Sequence, residues 1–229
     1  MGVRRLTSVP LVRLPVALAR VHWATSPGDV VEVALPDAAH RQRLDDIVTG
    51  AGFERASRGL RRLRTLPDTV APRMRVLVCG LNPSLVAADA GFGFAGATNR
   101  FWPAAIEAGL VTKARDPSHA LSADGVGMTD LVKRATTGTK ELLRTEYQTG
   151  AERVQRLAAW LRPGVVLFVG LEGWRAAVDR AARPGLQAGR LGGVPAYVMP
   201  STSGLNAHVR LGDLVSHLEA ALSAARRRE

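Results

Sequence analysis

Three stretches of the chain are almost entirely apolar, and each ends at a glycine or is followed by a proline. They are Arg75–Gly80, Val165–Gly170 and Ala196–Met199, the last of which is followed by Pro200. Near-continuous apolar runs of this length predict strands that are buried on both faces, as in a parallel sheet. Glycine and proline are the residues that commonly end such strands.

Between and after these runs, apolar residues recur at helical spacing. The spacing predicts helices around residues 100–109, 151–161, 172–182 and 211–225. Strands that alternate with helices predict an α/β fold, here a three-layer sandwich with a central, mostly parallel, short sheet flanked by helices. In such sheets ligands bind beyond the carboxyl ends of the strands.

The first 70 residues have a different pattern. A strand is predicted at Val30–Leu35 and a short helix at residues 38–49, which Gly50 and Gly52 would end. An arginine-rich run, Arg55–Arg64, follows. The segment Leu66–Pro72 has the composition of a linker. We therefore expect a small N-terminal βα accessory region with a basic linker over residues 1–70 and the main domain over residues 71–229.

The charge of the chain narrows the classes of partner. Its 229 residues include 31 Lys and Arg against 20 Asp and Glu, a formal net charge of +11. This balance favours a polyanionic partner such as nucleic acid, although a well-solvated, arginine-rich surface would give the same count.

The single cysteine, Cys79, excludes an intramolecular disulfide and a cysteine-based zinc site. No apolar run approaches about 18 residues, so we expect a cytoplasmic protein without a membrane partner.

Two of the predicted strands lead into unusual loops. After the first comes Gly80-Leu81-Asn82-Pro83-Ser84, in which Pro83 restricts Asn82 to an extended conformation. This loop continues into Gly91–Pro103, where Gly-Phe-Gly-Phe precedes Asn-Arg-Phe-Trp. The strand at Ala196–Met199 is followed by Pro200–Asn206. Taken alone, the first loop favours an ordinary Asn-Pro turn over a functional site.

Together these segments resemble the mismatch-specific uracil and thymine DNA glycosylases, family 2 of the uracil-DNA glycosylase superfamily. The resemblance covers about residues 73–225 and includes Gly127–Val132 and Glu141-Leu142 in the expected order. It implies a monofunctional glycosylase that hydrolyses the N-glycosidic bond of a flipped uracil, or of thymine or a modified cytosine, in mismatched duplex DNA. The role implied is base excision repair, by a nucleoid-associated monomer that needs no cofactor or metal.

The resemblance assigns the hydrolytic step to Asn82, with Asp130 as a second catalytic candidate. An amide accepts no proton at neutral pH, so Asn82 would orient the attacking water rather than deprotonate it. Asp130 stands where other members of the family carry Lys or Asn. Its carboxylate would supply a base or stabilise positive charge on the sugar, or it would simply cap a helix.

The same resemblance gives the pocket for the flipped base. Phe94 would stack on the base, unless it is a buried core residue. The other pocket residues implied are Leu81, Ser84, Ala87 and Asn99. Ala87 is small and leaves room for a 5-methyl group, and Pro-Ser-Thr-Ser resembles the thymine-excising branch, so we expect some activity on thymine.

The last loop would contact DNA. By resemblance, Leu205 is the wedge that fills the space of the flipped base, with Gly204 before it and Asn206 facing the unpaired base. Ser201 and Ser203 would donate to phosphates. The alternative for Leu205 is a core leucine. The family often has a basic residue soon after the wedge. Ala207 follows here, so that His208 or Arg210 would take over the contact.

A function of another class remains open at this stage. The same fold could serve as a non-catalytic module that binds DNA damage, which predicts salt-sensitive binding without release of a base. A small-nucleotide-binding domain would need a glycine loop that cradles phosphates and opens a helix. The Gly91-Phe92-Gly93 segment is a poor match to such a loop.

Overall fold

The computed structural model describes residues 4–36 and 41–226. Its N-terminal part comprises β1 (Arg4–Arg5), α1 (Leu14–Trp23), β2 (Val30–Val31), β3 (Val33–Ala34), α2 (Arg41–Gly50), β4 (Phe53–Ala56) and β5 (Gly59–Arg62). The strand predicted at Val30–Leu35 is in fact two short strands. The first, β2, lies in an antiparallel sheet of order β2-β5-β4, and the second, β3, pairs with β1 in parallel. The predicted helix at residues 38–49 is observed as α2, while residues 38–40 lie outside the described residues.

This N-terminal part has a hydrophobic core of its own. The largest fully buried side chains in it are Leu14, Leu18, Phe53 and Leu60. The arginine-rich run forms the hairpin of β4 and β5 and the residues that follow it. Three of its arginines are paired with carboxylates of the protein: Arg55 with Asp45, Arg61 with Glu54, and Arg64 with Asp89. Much of the positive charge in this run is therefore neutralised by the protein itself.

The segment predicted as a linker is not an exposed connection. Leu66, Asp68, Thr69 and Val70 are all at most 5% exposed. The Thr69 backbone exchanges two hydrogen bonds of 2.9 Å with the backbone of Met128. The segment is buried because Asp68 binds buried cations of the main domain, which composition does not reveal.

The main sheet has five strands. They are β6 (Val76–Gly80), β7 (Val126–Asp130), β8 (Val165–Val169), β9 (Gly185–Leu191) and β10 (Val194–Met199). Their order is β7-β6-β8-β10-β9, and every neighbouring pair is parallel except β9 with β10. Three of these strands match the predicted apolar runs. The pattern did not predict β7 as a strand, because Gly127, Thr129 and Asp130 interrupt its apolar residues, nor β9, whose residues are mostly exposed.

Helices cover both faces of this sheet. They are α3 (Leu85–Ala90), α4 (Phe101–Glu107), α5 (Pro117–Ser122), α6 (Arg144–Leu161), α7 (Leu171–Ala177) and α8 (Leu211–Arg226). Alternate residues of β6 point to opposite sides: Val76 and Val78 pack with α4 and α8, whereas Leu77 and Cys79 pack with α6 and α7. The expected three-layer α/β sandwich with a mostly parallel sheet is thus confirmed. Cys79 is a buried packing residue within this sheet.

The topology brings four strand ends to one edge of the sheet. The strands β6, β7, β8 and β10 are parallel, so their carboxyl ends meet there, at Gly80, Asp130, Val169 and Met199. The loops that carried the unusual motifs leave the sheet at this edge. Across the described ranges, no helix is both long enough and apolar enough to span a membrane.

Candidate functional site

A cavity of about 450 Å³ opens at this edge of the sheet. Loops after β6, β7, β8 and β10 all contribute to its wall. Of the residues singled out from the sequence, those that line it are Leu81, Asn82, Ser84, Ala87, Phe94, Asn99, Asp130, Ser201, Ser203, Gly204 and Leu205. Asn206 and His208, which were also singled out, lie outside its lining. The fold therefore brings together residues that are more than a hundred positions apart in the chain.

Asn82 is held by hydrogen bonds from its side-chain nitrogen. Nδ2 donates to the carbonyl oxygens of Arg134 at 3.0 Å and Pro83 at 3.2 Å, and to Thr136 Oγ1 at 2.8 Å. Carbonyl oxygens only accept, so the nitrogen must face them and the orientation of the amide is determined. Within the described residues Oδ1 accepts no hydrogen bond, which leaves an acceptor on a residue that lines the cavity.

Asp130 lies at the end of β7 and packs against the start of the loop at Gly80. A Cβ atom on Gly80 would lie 2.5 Å from Asp130 Oδ1, so any larger residue there would displace the carboxyl group. Burial raises the pKa of Asp130 to about 6, and Lys133, whose Nζ is 4.0 Å from Oδ2, offsets part of the effect. The side chain is 14% exposed, so this carboxyl group lines the cavity while being largely desolvated.

A buried ionic cluster lies directly behind Asp130. Asp68 accepts hydrogen bonds from Thr129 Oγ1 at 2.7 Å, Lys133 Nζ at 2.8 Å and Arg153 Nη1 at 2.7 Å. Arg153 Nη2 also donates to the Asp130 carbonyl oxygen at 2.7 Å. Although burial opposes ionisation, Arg153 and Lys133 keep the pKa of Asp68 below its usual value. This cluster fixes the backbone that carries Asp130.

Phe94 combines two unusual features. Its backbone has φ +59°, a left-handed conformation that residues other than glycine rarely adopt. Its ring stacks on Phe101 with centroids 4.0 Å apart and planes inclined by 21°. Phe94 is only partly buried, and it lines the cavity, so it is not simply a core residue. Strained backbone conformations of this kind are concentrated at functional sites.

Short polar contacts shape the rest of the pocket wall. Ser84 caps α3 by accepting a hydrogen bond from the Ala87 backbone nitrogen at 3.1 Å, and Ala87 itself is only 2% exposed. Asn99 Oδ1 accepts from the Phe101 backbone nitrogen at 2.9 Å. Among the described residues, Asn99 Nδ2 donates to none, so this group remains a donor on the wall of the cavity.

The segment after β10 is a tight loop, which we call the wedge loop and define as residues 201–209. Leu205 is 97% exposed at its tip, so it is not a core leucine. The hydroxyl oxygens of Ser201 and Ser203 accept hydrogen bonds from the backbone nitrogens of Ser203 and Leu205, both at 3.3 Å. Asn206 Nδ2 donates to the Ser201 carbonyl oxygen at 3.0 Å, and His208 is exposed. Asn206 therefore stabilises the loop.

Several residues of the site were not singled out from the sequence. Thr136 holds Asn82, Glu172 lines the cavity and accepts a hydrogen bond of 3.0 Å from Tyr147 Oη, and Leu66 reaches the cavity from the supposed linker. Arg100 stands inside the Asn-Arg-Phe-Trp motif, which was the available signal for it. In the part of the chain that is described, no group of three or more His, Cys, Asp or Glu side chains could hold a metal ion.

A family model and a solved structure each match most of this chain. The model of a family described as the uracil DNA glycosylase superfamily matches residues 67–225. Among solved structures, the chain is similar to the solution NMR structure of a Methanosarcina acetivorans protein that is proposed to be a uracil DNA glycosylase. The sequence identity is 17%, the TM-score is 0.48, and the match covers 71% of this chain and 98% of that chain.

Proposed function

Because this chain belongs to the uracil DNA glycosylase superfamily, whose members excise bases from DNA, we propose that it is a mismatch-specific enzyme of family 2. Its substrate would be a flipped uracil, with thymine or a modified cytosine as further candidates, in mismatched duplex DNA. It would hydrolyse the N-glycosidic bond without a cofactor and leave an abasic site. The cavity residues would act on the flipped base and the wedge loop would act on the duplex.

The observation that carries this proposal is the hydrogen bonding of the Asn82 side-chain amide. Its nitrogen is committed to three acceptors, and its oxygen is the free acceptor of a residue on the cavity wall. Such an oxygen can accept a hydrogen bond from a water molecule and orient the lone pair of that water toward the anomeric carbon. The C–O bond to water forms, the C–N bond breaks, and its electron pair leaves with the base.

The charges that develop in this step have candidate partners on the wall. The departing base becomes an anion, and Asn99 Nδ2 is a free donor that would stabilise it. The sugar becomes cation-like, which an ionised Asp130 would stabilise, and the same carboxylate can take the proton of the attacking water. The raised pKa of Asp130, about 6, is close to the value that suits a general base at neutral pH.

Binding of the base rests on the aromatic and small residues of the pocket. The Phe94 ring, supported from one side by Phe101, would stack on the base. Leu81, Ser84 and Ala87 would complete the pocket, and the small Ala87 side chain would accommodate the methyl group of thymine. Leu205, exposed on the wedge loop, would enter the duplex where the base has left, and Ser201, Ser203 and His208 would contact phosphates.

A base-release assay tests this function. Duplexes with U:G, T:G and normal pairs are incubated with the protein in chelator, and abasic sites are cleaved by alkali and resolved on a gel. We expect release from U:G, weaker release from T:G, and loss of release in Asn82→Ala with DNA binding retained. The matched control is Gln148→Ala, which removes an exposed amide on α6 away from the cavity.

The assay also separates the two classes of function. Full activity of Asn82→Ala would overturn the role of that residue while leaving the glycosylase assignment intact. Salt-sensitive binding without release from any duplex would identify a non-catalytic module that binds DNA damage instead.

A further inference from the structure

Arg100 connects the helix that follows the base pocket to the wedge loop. Its Nη2 donates to the carbonyl oxygens of Asn206 at 2.8 Å and Ser203 at 3.1 Å, and its Nη1 donates to the carbonyl oxygen of Val209. Its backbone nitrogen donates to the carbonyl oxygen of Thr202 at 2.9 Å. One residue thus binds four carbonyl groups within the eight residues 202–209, a span that includes Leu205.

These contacts matter because the wedge loop has no strand or helix to hold it. Its residues 201–209 lie between β10 and α8 in turns and bends. Leu205 is 97% exposed, so its side chain contributes almost no packing to the fold. Without such anchors the loop would sample many conformations, and ordering it on DNA would cost conformational entropy.

We propose that Arg100 is a positioning residue, which holds the wedge loop in the conformation that presents Leu205 to the duplex. This inference rests on the proposed function of the wedge loop. Thr98 supports the same arrangement, because Gly204 lies so close to its side chain that a Cβ atom on Gly204 would clash with it. The segment 98–100 and the wedge loop are therefore packed as one unit.

The position of Arg100 also couples the wedge to the base pocket. The next residue, Phe101, stacks on Phe94, and the preceding residue, Asn99, lines the cavity. Arg100 therefore lies between the two residues that reach the pocket, Asn99 before α4 and Phe101 at its start, and contacts the wedge loop from there.

A guanidinium group is required for this role. Its donors lie in a planar fork that can reach several carbonyl oxygens at once, whereas an ammonium group is a compact point charge on a flexible stem. No carboxylate forms an ion pair with Arg100 anywhere in residues 4–36 and 41–226, so its charge serves these carbonyl groups alone. Arg100→Lys keeps the charge and removes the fork, which makes it the informative substitution.

The test compares two duplexes under single-turnover conditions. One holds uracil opposite guanine, and the other holds uracil opposite a tetrahydrofuran abasic analogue, so that no pair has to be opened. We expect Arg100→Lys and Leu205→Ala each to slow excision from U:G at least about tenfold relative to the unpaired uracil, comparable to the loss of one charge-assisted hydrogen bond. The double variant should be no slower than Leu205→Ala, because both changes remove the insertion of Leu205 into the duplex.

The matched control is Arg75→Lys. Arg75 also donates to a backbone carbonyl oxygen, that of Leu110 at 2.8 Å, but it does not line the cavity. The Arg75→Lys substitution should leave the ratio of the two excision rates unchanged. An unchanged ratio in Arg100→Lys, or a double variant slowed by the product of the two single effects, would overturn the proposal.

A second measurement does not depend on catalysis. Amide hydrogen exchange of the free protein should be faster in Arg100→Lys at Leu205 and Asn206, whose backbone nitrogens are hydrogen-bonded within the loop, and unchanged in β6. Unchanged exchange in the loop would refute the positioning role of Arg100 even if the wild-type protein released no base. If no base is released but exchange is faster in Arg100→Lys, the proposed function is refuted and the positioning role of Arg100 stands.

Discussion

The side-chain nitrogen of Asn82 lies 2.8 Å from Thr136 Oγ1, and this contact joins the loop after β6 to the segment that follows β7. Thr136 is 3% exposed, and its backbone nitrogen donates to the Pro83 carbonyl oxygen at 3.2 Å. A residue 54 positions later in the chain therefore helps to hold the proposed water-binding amide, together with the carbonyl oxygens of Pro83 and Arg134.

Replacement of Thr136 by valine keeps the shape of this side chain and removes its acceptor oxygen. We expect kcat for U:G duplex to fall about 5- to 10-fold, since a hydrogen bond that contributes about 1 kcal/mol to orientation is lost. The Kd for DNA should not change. Single-turnover kinetics and a binding titration measure the two effects. Thr112→Val, which removes the 2.8 Å bond to Asp124 outside the cavity, should change neither value.

Asp130→Asn should separate activity from stability. The folded-state pKa of about 6 lies above the usual 3.8, so the folded protein binds more protons than the unfolded chain between pH 4 and 6. Stability contributed by this group is thus lost as the pH rises through this range. The asparagine variant should be more stable at pH 7.5 by up to about 3 kcal/mol, at about 1.4 kcal/mol per pKa unit. The gain should disappear below pH 4.

The excision rate of the wild type should rise with pH, whereas the stability contributed by Asp130 falls with pH. An ionised Asp130 is the active form, so the excision rate should rise through pH 6. Asp130→Asn should be slower and lack this rise. Urea denaturation and single-turnover rates across pH 4–8 test both statements. Asp45→Asn, at an exposed ion pair with Arg55, is the control. An identical pH profile in Asp130→Asn would rule out a catalytic role.

Phe94→Ala should weaken recognition of the base. Stacking contributes about 1–3 kcal/mol per base, so kcat/KM should fall roughly 5- to 150-fold. Phe92→Ala is the control, because Phe92 packs against the same core without lining the cavity. The control should show a comparable loss of thermal stability but little change in kcat/KM. Equal losses of kcat/KM in the two variants would mean that Phe94 acts only through packing.

Asp68→Asn should destabilise the whole protein. Lys133 and Arg153 would lose their buried carboxylate partner, and an uncompensated buried charge costs about 3–5 kcal/mol. The comparison is Asp89→Asn, since Asp89 pairs with Arg64 at the exposed surface, where such pairs contribute about 0–1 kcal/mol. Chemical denaturation at pH 7 measures both. A change below 1 kcal/mol in Asp68→Asn would contradict the structural role of the cluster.

The parts of the fold that could be predicted are those with a local signal. The runs at β6, β8 and β10 are apolar throughout because both faces of these strands are covered, and a single segment of sequence records that burial. The strand β7 carries Thr129 and Asp130 at the edge of the site, and these polar residues interrupt the same signal. Contiguous motifs likewise placed Asn82 and Phe94 at the cavity.

The remaining features depend on contacts between distant segments. The partners of Asp68 lie 61 to 85 positions later, and those of the Arg100 guanidinium lie 103 to 109 positions later. The sequence by itself determined which residues follow each strand and which chemistry they carry. Only the tertiary structure decided that Asp68 belongs to the buried core and that Arg100 holds the wedge loop, because parallel strands bring their ends together through long connections that leave no local pattern.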